Sequence, residues 1–221
     1  MVKTAIGTGK FKLEKPRLAE AGLEQPVHPL FADSGSFHEN LLVREAAVEE
    51  RNTERSVAER ILWQHVTFTD CRLDRLELTD CRFENCDLSN IRLDEAVLHR
   101  VEFHSCKLVG ADLSGAVLRN VLFEDCQADY VSFRFGSFKQ VKFSGSSLNH
   151  ADLYRSELSK TVFEDVQLDK AQLSGTRLSG IDLSSCEFHH LGVEMEDLKG
   201  CIIAPAQAIL FTRIFGLVVK E

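Results

Sequence analysis

From Trp63 to Ile203 a large apolar residue recurs at every fifth position, with Ala128 the one small member of the series. Trp63, Phe68, Leu73, Leu78, Phe83 and Leu88 open it, and Leu183, Phe188, Val193, Leu198 and Ile203 close it without a slip of phase. A period of five matches neither the 3.6-residue helix nor the two-residue strand, so neither amphipathic pattern applies. A fixed short period held over this length marks a solenoid, in which each unit must stack on its neighbours to bury its apolar face.

Calling the large residue i, position i−2 carries a small or branched residue, as at Val66, Cys71, Cys81, Cys86, Ala96, Ala111 and Ala151. Positions i−1, i+1 and i+2 are mainly polar or glycine. Two inward residues in five, one large and one small, predict a narrow tube filled by its own side chains. A second period lies on the first: Trp63, Phe83, Phe103, Phe123, Phe143 and Phe163 are twenty residues apart. Four units per coil follow, with aromatic rings stacked on one side of a square tube at the strand spacing of ~4.8 Å. Phe133 and Phe138 add bulk to one coil, and Ala128 and Gly136 in the same coil offset it. The units from Phe68 to Ile203 make seven coils, roughly 34 Å of tube at that spacing.

The flanks differ. Residues 1–40 hold Pro16, Pro26 and Pro29 and read as an irregular N-terminal segment, with a short helix expected over residues 16–23, Pro16 in its first position. Residues 41–62 are rich in Ala, Glu and Arg, which suits a helix. Val43, Val48, Thr53 and Ala58 nonetheless keep the five-residue phase, which favours a degenerate first coil of a β-helix spanning 41–203. After the array, residues 204–221 form a C-terminal unit. Pro205 suits a first helical turn and Gly216 a C-terminal cap, and residues 217–219 read as a short apolar strand. One helix face can plug the tube and protect its last edge. The apolar surplus predicts a homodimer interface at Leu210, Phe211, Ile214, Phe215, Leu217 and Val219.

The chemistry-bearing residues favour no reaction. All seven cysteines stand at i−2 and none forms a Cys-x-x-Cys pair, so they are expected to be reduced, buried filler and not zinc ligands. His99 and His104 fall on different sides of the coil, and His189 and His190 are adjacent and expected to point apart or around a corner; all read as solvated. Asp at i−1 reads as a turn former. No residue set calls for a catalytic centre, a metal or a cofactor. A net charge of −8 argues against direct nucleic-acid binding. No apolar run is long enough to span a membrane, and the first fifteen residues lack the core of a signal peptide, so a cytoplasmic location is expected. Charge is uneven around the tube. The aromatic side carries Glu84, Glu102, Glu124, Asp125, Glu164, Asp165 and Asp182 against Arg82 and Lys142, a candidate acidic interaction face. Tyr130, Phe135, Tyr154 and Met195 stand at outward positions, Phe135 as a candidate partner anchor.

Ala-Asp-Leu-Ser-Gly at 111–115, Ala-Asp-Leu-Tyr-Arg at 151–155 and Cys-Asp-Leu-Ser-Asn at 86–90 resemble the A(D/N)LXX unit of the pentapeptide-repeat family. The resemblance covers 63–203. It implies an all-β solenoid, a right-handed quadrilateral parallel β-helix of about seven to eight coils with a short C-terminal capping helix. It further implies a non-catalytic structural or protein-interaction module of unnamed partner. Gln207, Ala208 and the stretch from Leu210 to Val219 resemble the dimerising tail of gyrase-interacting members. That branch implies the alternative, a DNA-mimicking regulator or protector of a type II topoisomerase (DNA gyrase or topoisomerase IV) that confers quinolone tolerance.

Overall fold

A computed structural model describes residues 11–19 and 21–218. Among them the chain forms a parallel β-solenoid of about eight coils. Eight three-residue strands open it, one per side: β1 (Phe37–Glu39), β2 (Leu42–Arg44), β3 (Ala47–Glu49), β4 (Asn52–Glu54), β5 (Val57–Glu59), β6 (Leu62–Gln64), β7 (Thr67–Thr69) and β8 (Arg72–Asp74). Five eight-residue strands follow, each running through a corner and covering two sides: β9 (Glu77–Glu84), β10 (Val97–His104), β11 (Val117–Glu124), β12 (Ser137–Ser144) and β13 (Glu157–Glu164). Two short strands, β14 (Ala171–Gln172) and β15 (Leu191–Gly192), and the helix α1 (Pro205–Ile214) complete it.

Every paired strand is parallel to its neighbour at a register of twenty residues, as in Phe83↔Phe103↔Phe123↔Phe143↔Phe163. The aromatic side chains are therefore superposed. Trp63 and Phe83 stack with centroids 5.5 Å apart, and Phe83–Phe103, Phe103–Phe123, Phe123–Phe143 and Phe143–Phe163 at 4.8, 4.9, 4.8 and 5.3 Å, all within 13° of parallel. Isolated aromatic pairs favour offset or edge-on geometry; here the backbone repeat sets the spacing. Phe31, outside the repeat, lies over Trp63 at 6.1 Å and closes the N-terminal end. The interior is filled, with a residual void of about 10 Å³ between Phe31, Trp63 and Phe103. Gly136 is needed where expected: a Cβ there would meet the Phe133 carbonyl oxygen and the Phe138 ring at 2.9 Å.

The corners are built from residues at i+2 held at positive φ, among them Asn85 at 53°, Asn90 at 59°, Tyr130 at 60° and Phe135 at 58°. On two sides of the coil an N–H bonds back three residues, as from Ile91 to the Leu88 oxygen and from Ala96 to the Leu93 oxygen, with the positive φ at the third residue. That is a type II turn, which ordinarily asks for Gly or Asn there. Asp87, Asp112, Asp152 and Asp182 at i−1 accept the N–H two residues on, the turn-forming role expected of them.

The short helix expected over residues 16–23 does not form. Residues 16–19 carry no helical turn and residues 21–22 form a simple turn. The cause is external: the Arg17 N–H donates to Asp80 Oδ1 at 2.9 Å and the Glu14 N–H to Asn120 Oδ1 at 3.2 Å. A segment this short gains too little from its own helical bonds to compete with such partners. At the other end Pro205 opens α1 and Gly216, at φ 78°, follows its last turn, donating to the Arg213 oxygen. Leu217 and Val218 are not in a strand, and Val219 lies outside the described residues.

Candidate interaction surfaces

The corner between the Leu78 side and the aromatic side holds Asp80, Arg100, Asn120 and Gln140 in one column. Asp80, Arg100 and Asn120 are 4%, 9% and 8% exposed, whereas Asn85, Ser105 and Asp125, one corner further on, are exposed. The difference is the N-terminal segment, which runs down the first corner as a strap. Gln140 Nε2 donates to the Lys12 oxygen, Asn120 holds the Glu14 N–H, and Asp80 holds that of Arg17. Asp80 also accepts a two-pronged bond from Arg100, at 2.5 and 2.7 Å. Burial alone would raise the Asp80 carboxyl; the bonds from Arg100 and Arg17 outweigh it and hold the carboxyl below its usual range.

The seven acids of the aromatic side do not form one free face. Glu102 is 3% exposed and lies 3.0 Å from Arg82 and 3.2 Å from His104. Glu84 accepts from Gln64, Glu124 lies 2.9 Å from His104, and Glu164 pairs with Lys142. Asp125, Glu164, Asp165 and Asp182 are exposed. A groove of about 440 Å³ separates Glu84, Glu102, His104 and Glu124 from the strap's Leu13 and Lys15. Seven acids were legible in the sequence as a column; the ion pairs across it, and the strap beside it, were not.

His104 is not the solvated histidine expected. The twenty-residue stack sets Glu124 beside it and Glu102 two residues behind it. Its bond to Glu102 raises its pKa, burial opposes this, and Glu124 adds to the rise. A histidine raised in the fold contributes stability that is complete below its unfolded pKa of about 6.5 and is lost as pH rises through the folded value. Melting temperatures of the wild type and His104→Gln, compared between about pH 6 and pH 8, should converge as pH rises. Curves that stay parallel contradict the assignment. His189 and His190 are exposed as expected but do not point apart: their Nδ1 atoms lie 3.9 and 3.8 Å from Asp169 Oδ1, which also accepts both backbone N–H groups.

The cysteines occupy the small inward slot, six buried and Cys201 half-buried, all seven free. Cys106 Sγ donates to the Phe83 oxygen one coil back, at 3.5 Å. Burial pushes Cys81 up to about 12, and the neighbouring Cys126 thiol pushes Cys106 to about 12, so neither carries thiolate near neutral pH. Among the described residues no group of three or more His, Cys, Asp or Glu is placed to hold a metal, and no helix is long and apolar enough to cross a membrane.

Outward aromatic residues gather on the side opposite the ladder. Phe135, 55% exposed, meets Tyr154 edge-on at 5.8 Å, and the Arg134 guanidinium lies over both rings. Tyr130 stacks on His150 one corner away. At the C-terminal end Gln207 Nε2 donates to the Leu183 and Cys186 oxygens of the last coil, and its Oε1 accepts the Ala204 N–H. Phe211 is buried edge-on against Phe188, so it belongs to the plug within the chain. Leu210 and Phe215 pack partly against the core, while Ile202, Ile209, Leu217, Val218 and nearby Met195 are exposed. Ile209 was missed in the sequence because the helix phase that seats Phe211 was not fixed there; Ile202, at an i−1 position of the array, and Val218, within the stretch read as a strand, lie outside α1.

Comparison with known proteins agrees with this architecture. A family model described as a pentapeptide repeat region matches residues 76–153, and one for pentapeptide repeats (eight copies) matches residues 146–184. The protein YisX of Bacillus subtilis (strain 168) is 35% identical over 212 residues, spanning 95% of this chain and 99% of the relative. Among solved structures, trypsin-treated QnrB1, a plasmid-mediated fluoroquinolone resistance protein, shares 18% identity over 84% of this chain and 100% of its own, with a TM-score of 0.44. HetL of the cyanobacterium Nostoc sp. strain PCC 7120, a pentapeptide repeat protein involved in heterocyst differentiation regulation, shares 17% over 77% of this chain and 90% of its own, with a TM-score of 0.38. With an unbroken five-residue ladder, a twenty-residue strand register and a full-length relative, the chain belongs to the pentapeptide-repeat family.

Proposed function

We propose that this protein is a non-catalytic protein-interaction module, a stiff rod that works through its surface and associates with a second copy at its C-terminal end. The observation that carries the reading is the apolar end surface. Ile202, Ile209, Leu217 and Val218 are 41%, 48%, 61% and 95% exposed around a helix that has already closed the tube with Gln207 and Phe211. Exposed apolar side chains concentrated at one end suit a two-fold contact. In sedimentation equilibrium the full chain is a dimer, and the double variant Leu217→Asp, Val218→Asp is a monomer with an unchanged melting profile. A monomeric wild type, or a variant that stays dimeric, removes the self-association.

The second reading is a DNA-mimicking regulator of a type II topoisomerase. Asp125, Asp165 and Asp182, exposed along one side of an acidic rod, favour it, with Glu164 exposed but paired with Lys142, since carboxylates in a row can occupy a groove built for phosphates. Glu84, Glu102 and Glu124 contribute less, being engaged by Arg82, Gln64 and His104. A gyrase supercoiling assay with and without a quinolone tests it; neither inhibition nor protection at micromolar protein removes it.

A further inference from the structure

The strap has the marks of a seated ligand. None of residues 11–19 is buried, so the strap contributes little apolar burial of its own, and segments held this way open well below global unfolding. Yet it covers a row of side chains, Asp80, Arg100 and Asn120, that are themselves buried and would face solvent without it. The row has a fixed pitch. Asn120 and Asp80 are two coils apart, roughly 9.6 Å at the strand spacing, and they take the N–H groups of Glu14 and Arg17, three residues apart. About 3.2 Å per residue is an extended or polyproline II rise. Pro16, between the two donors, has no N–H to place and holds the backbone in that form, while Lys15 before it is pushed away from the helical region. Side chains line the same groove: Leu13 and Lys15 of the strap border it together with Leu122, and Glu84, Glu102 and Glu124 lie there beside Arg82 and His104, which pair with these acids.

We propose that this corner groove is a binding site for an extended, lysine- and proline-bearing segment of a partner protein, and that residues 12–17 are its intramolecular stand-in. Backbone donors three residues apart are read by Asp80 and Asn120, and a positive side chain by the half-exposed Glu84 and Glu124, Glu102 being closed off by Arg82 and His104. Partner and strap compete, so binding requires the strap to lift. The inference rests on the reading of the protein as an interaction module, but it concerns a different surface from the C-terminal end.

The test uses the full chain and a fluorescent peptide of residues 11–19. Leu13→Asp with Lys15→Glu weakens the strap without touching the interior. Anisotropy should show this variant binding the peptide at least about ten-fold more tightly than the wild type, whose groove is occupied at high effective concentration. Adding Glu124→Lys should lower that affinity several-fold, as should replacing both peptide lysines by glutamate. Equal binding by wild type and variant, or none by either, overturns the proposal. So does slow exchange of the Arg17 amide in the variant, since the strap would then be a fixed brace. These outcomes leave the sedimentation result unchanged, so failure of the groove and failure of the dimer are told apart.

Discussion

Replacing Phe123 with alanine should lower the unfolding free energy by about 3–5 kcal/mol, the range for deleting a buried aromatic ring. Phe123 is fully buried, stacks on Phe103 at 4.9 Å and Phe143 at 4.8 Å, and takes the edge of Phe133 at 6.0 Å. The rings above and below are fixed by the strand register, so the gap cannot close and the cavity term persists. Position within the stack matters. Phe163 stacks only on Phe143 among the described rings, and Leu183 follows it on the next coil. Phe163→Ala should therefore cost less, by about 1 kcal/mol for the missing stack. A central break should also weaken coupling between the two halves of a quasi-one-dimensional array, giving Phe123→Ala a broader urea transition than Phe163→Ala. Equal costs at the two positions would contradict an energetic role for the stack.

Asp80→Ala carries the second large effect. Arg100 is 9% exposed, and among the described residues its two-pronged bond to Asp80 is supplemented by contact with His99 at 2.9 Å. Removing one partner of a buried ion pair leaves an uncompensated charge and costs about 3–5 kcal/mol. The Arg17 N–H loses its acceptor in the same step, so the strap should loosen. Arg100→Ala on top of Asp80→Ala should recover a good part of the loss, because the stranded cation is gone. A double-mutant cycle by urea denaturation measures this. A single-variant cost below about 1 kcal/mol would mean that the pair is solvated and the strap does not seal the corner.

The five-residue ladder makes the tube, its four sides, its aromatic stack and the cysteine slot legible in the sequence, because each follows from inward positions repeated in phase. What escaped depends on partners distant in sequence. Residues 16–23 were read as a short helix because Pro16 fits a first turn; Asp80, 63 residues on from Arg17, decides otherwise. His104 was read alone, although the twenty-residue offset that stacks Phe103 on Phe123 necessarily sets it beside Glu124. The corner conformation had a signal that was not used: Asn85, Asn90, Gly110, Gly115, Asn120 and Asp125 all fall at i+2, where only residues tolerant of positive φ fit cheaply. Phe211 was grouped with exposed residues of α1 because periodicity gives two apolar faces and not which one meets Phe188.

Amide hydrogen exchange of the intact protein tests most directly the picture of a packed rod with its own N-terminal segment seated in a surface groove. The account predicts the slowest exchange at the stacked strands of Phe103 and Phe123. It predicts intermediate protection, lost independently of those strands, at Glu14 and Arg17, whose N–H groups are held by Asn120 and Asp80. Exchange of Glu14 and Arg17 at the rate of an unfolded chain would contradict it.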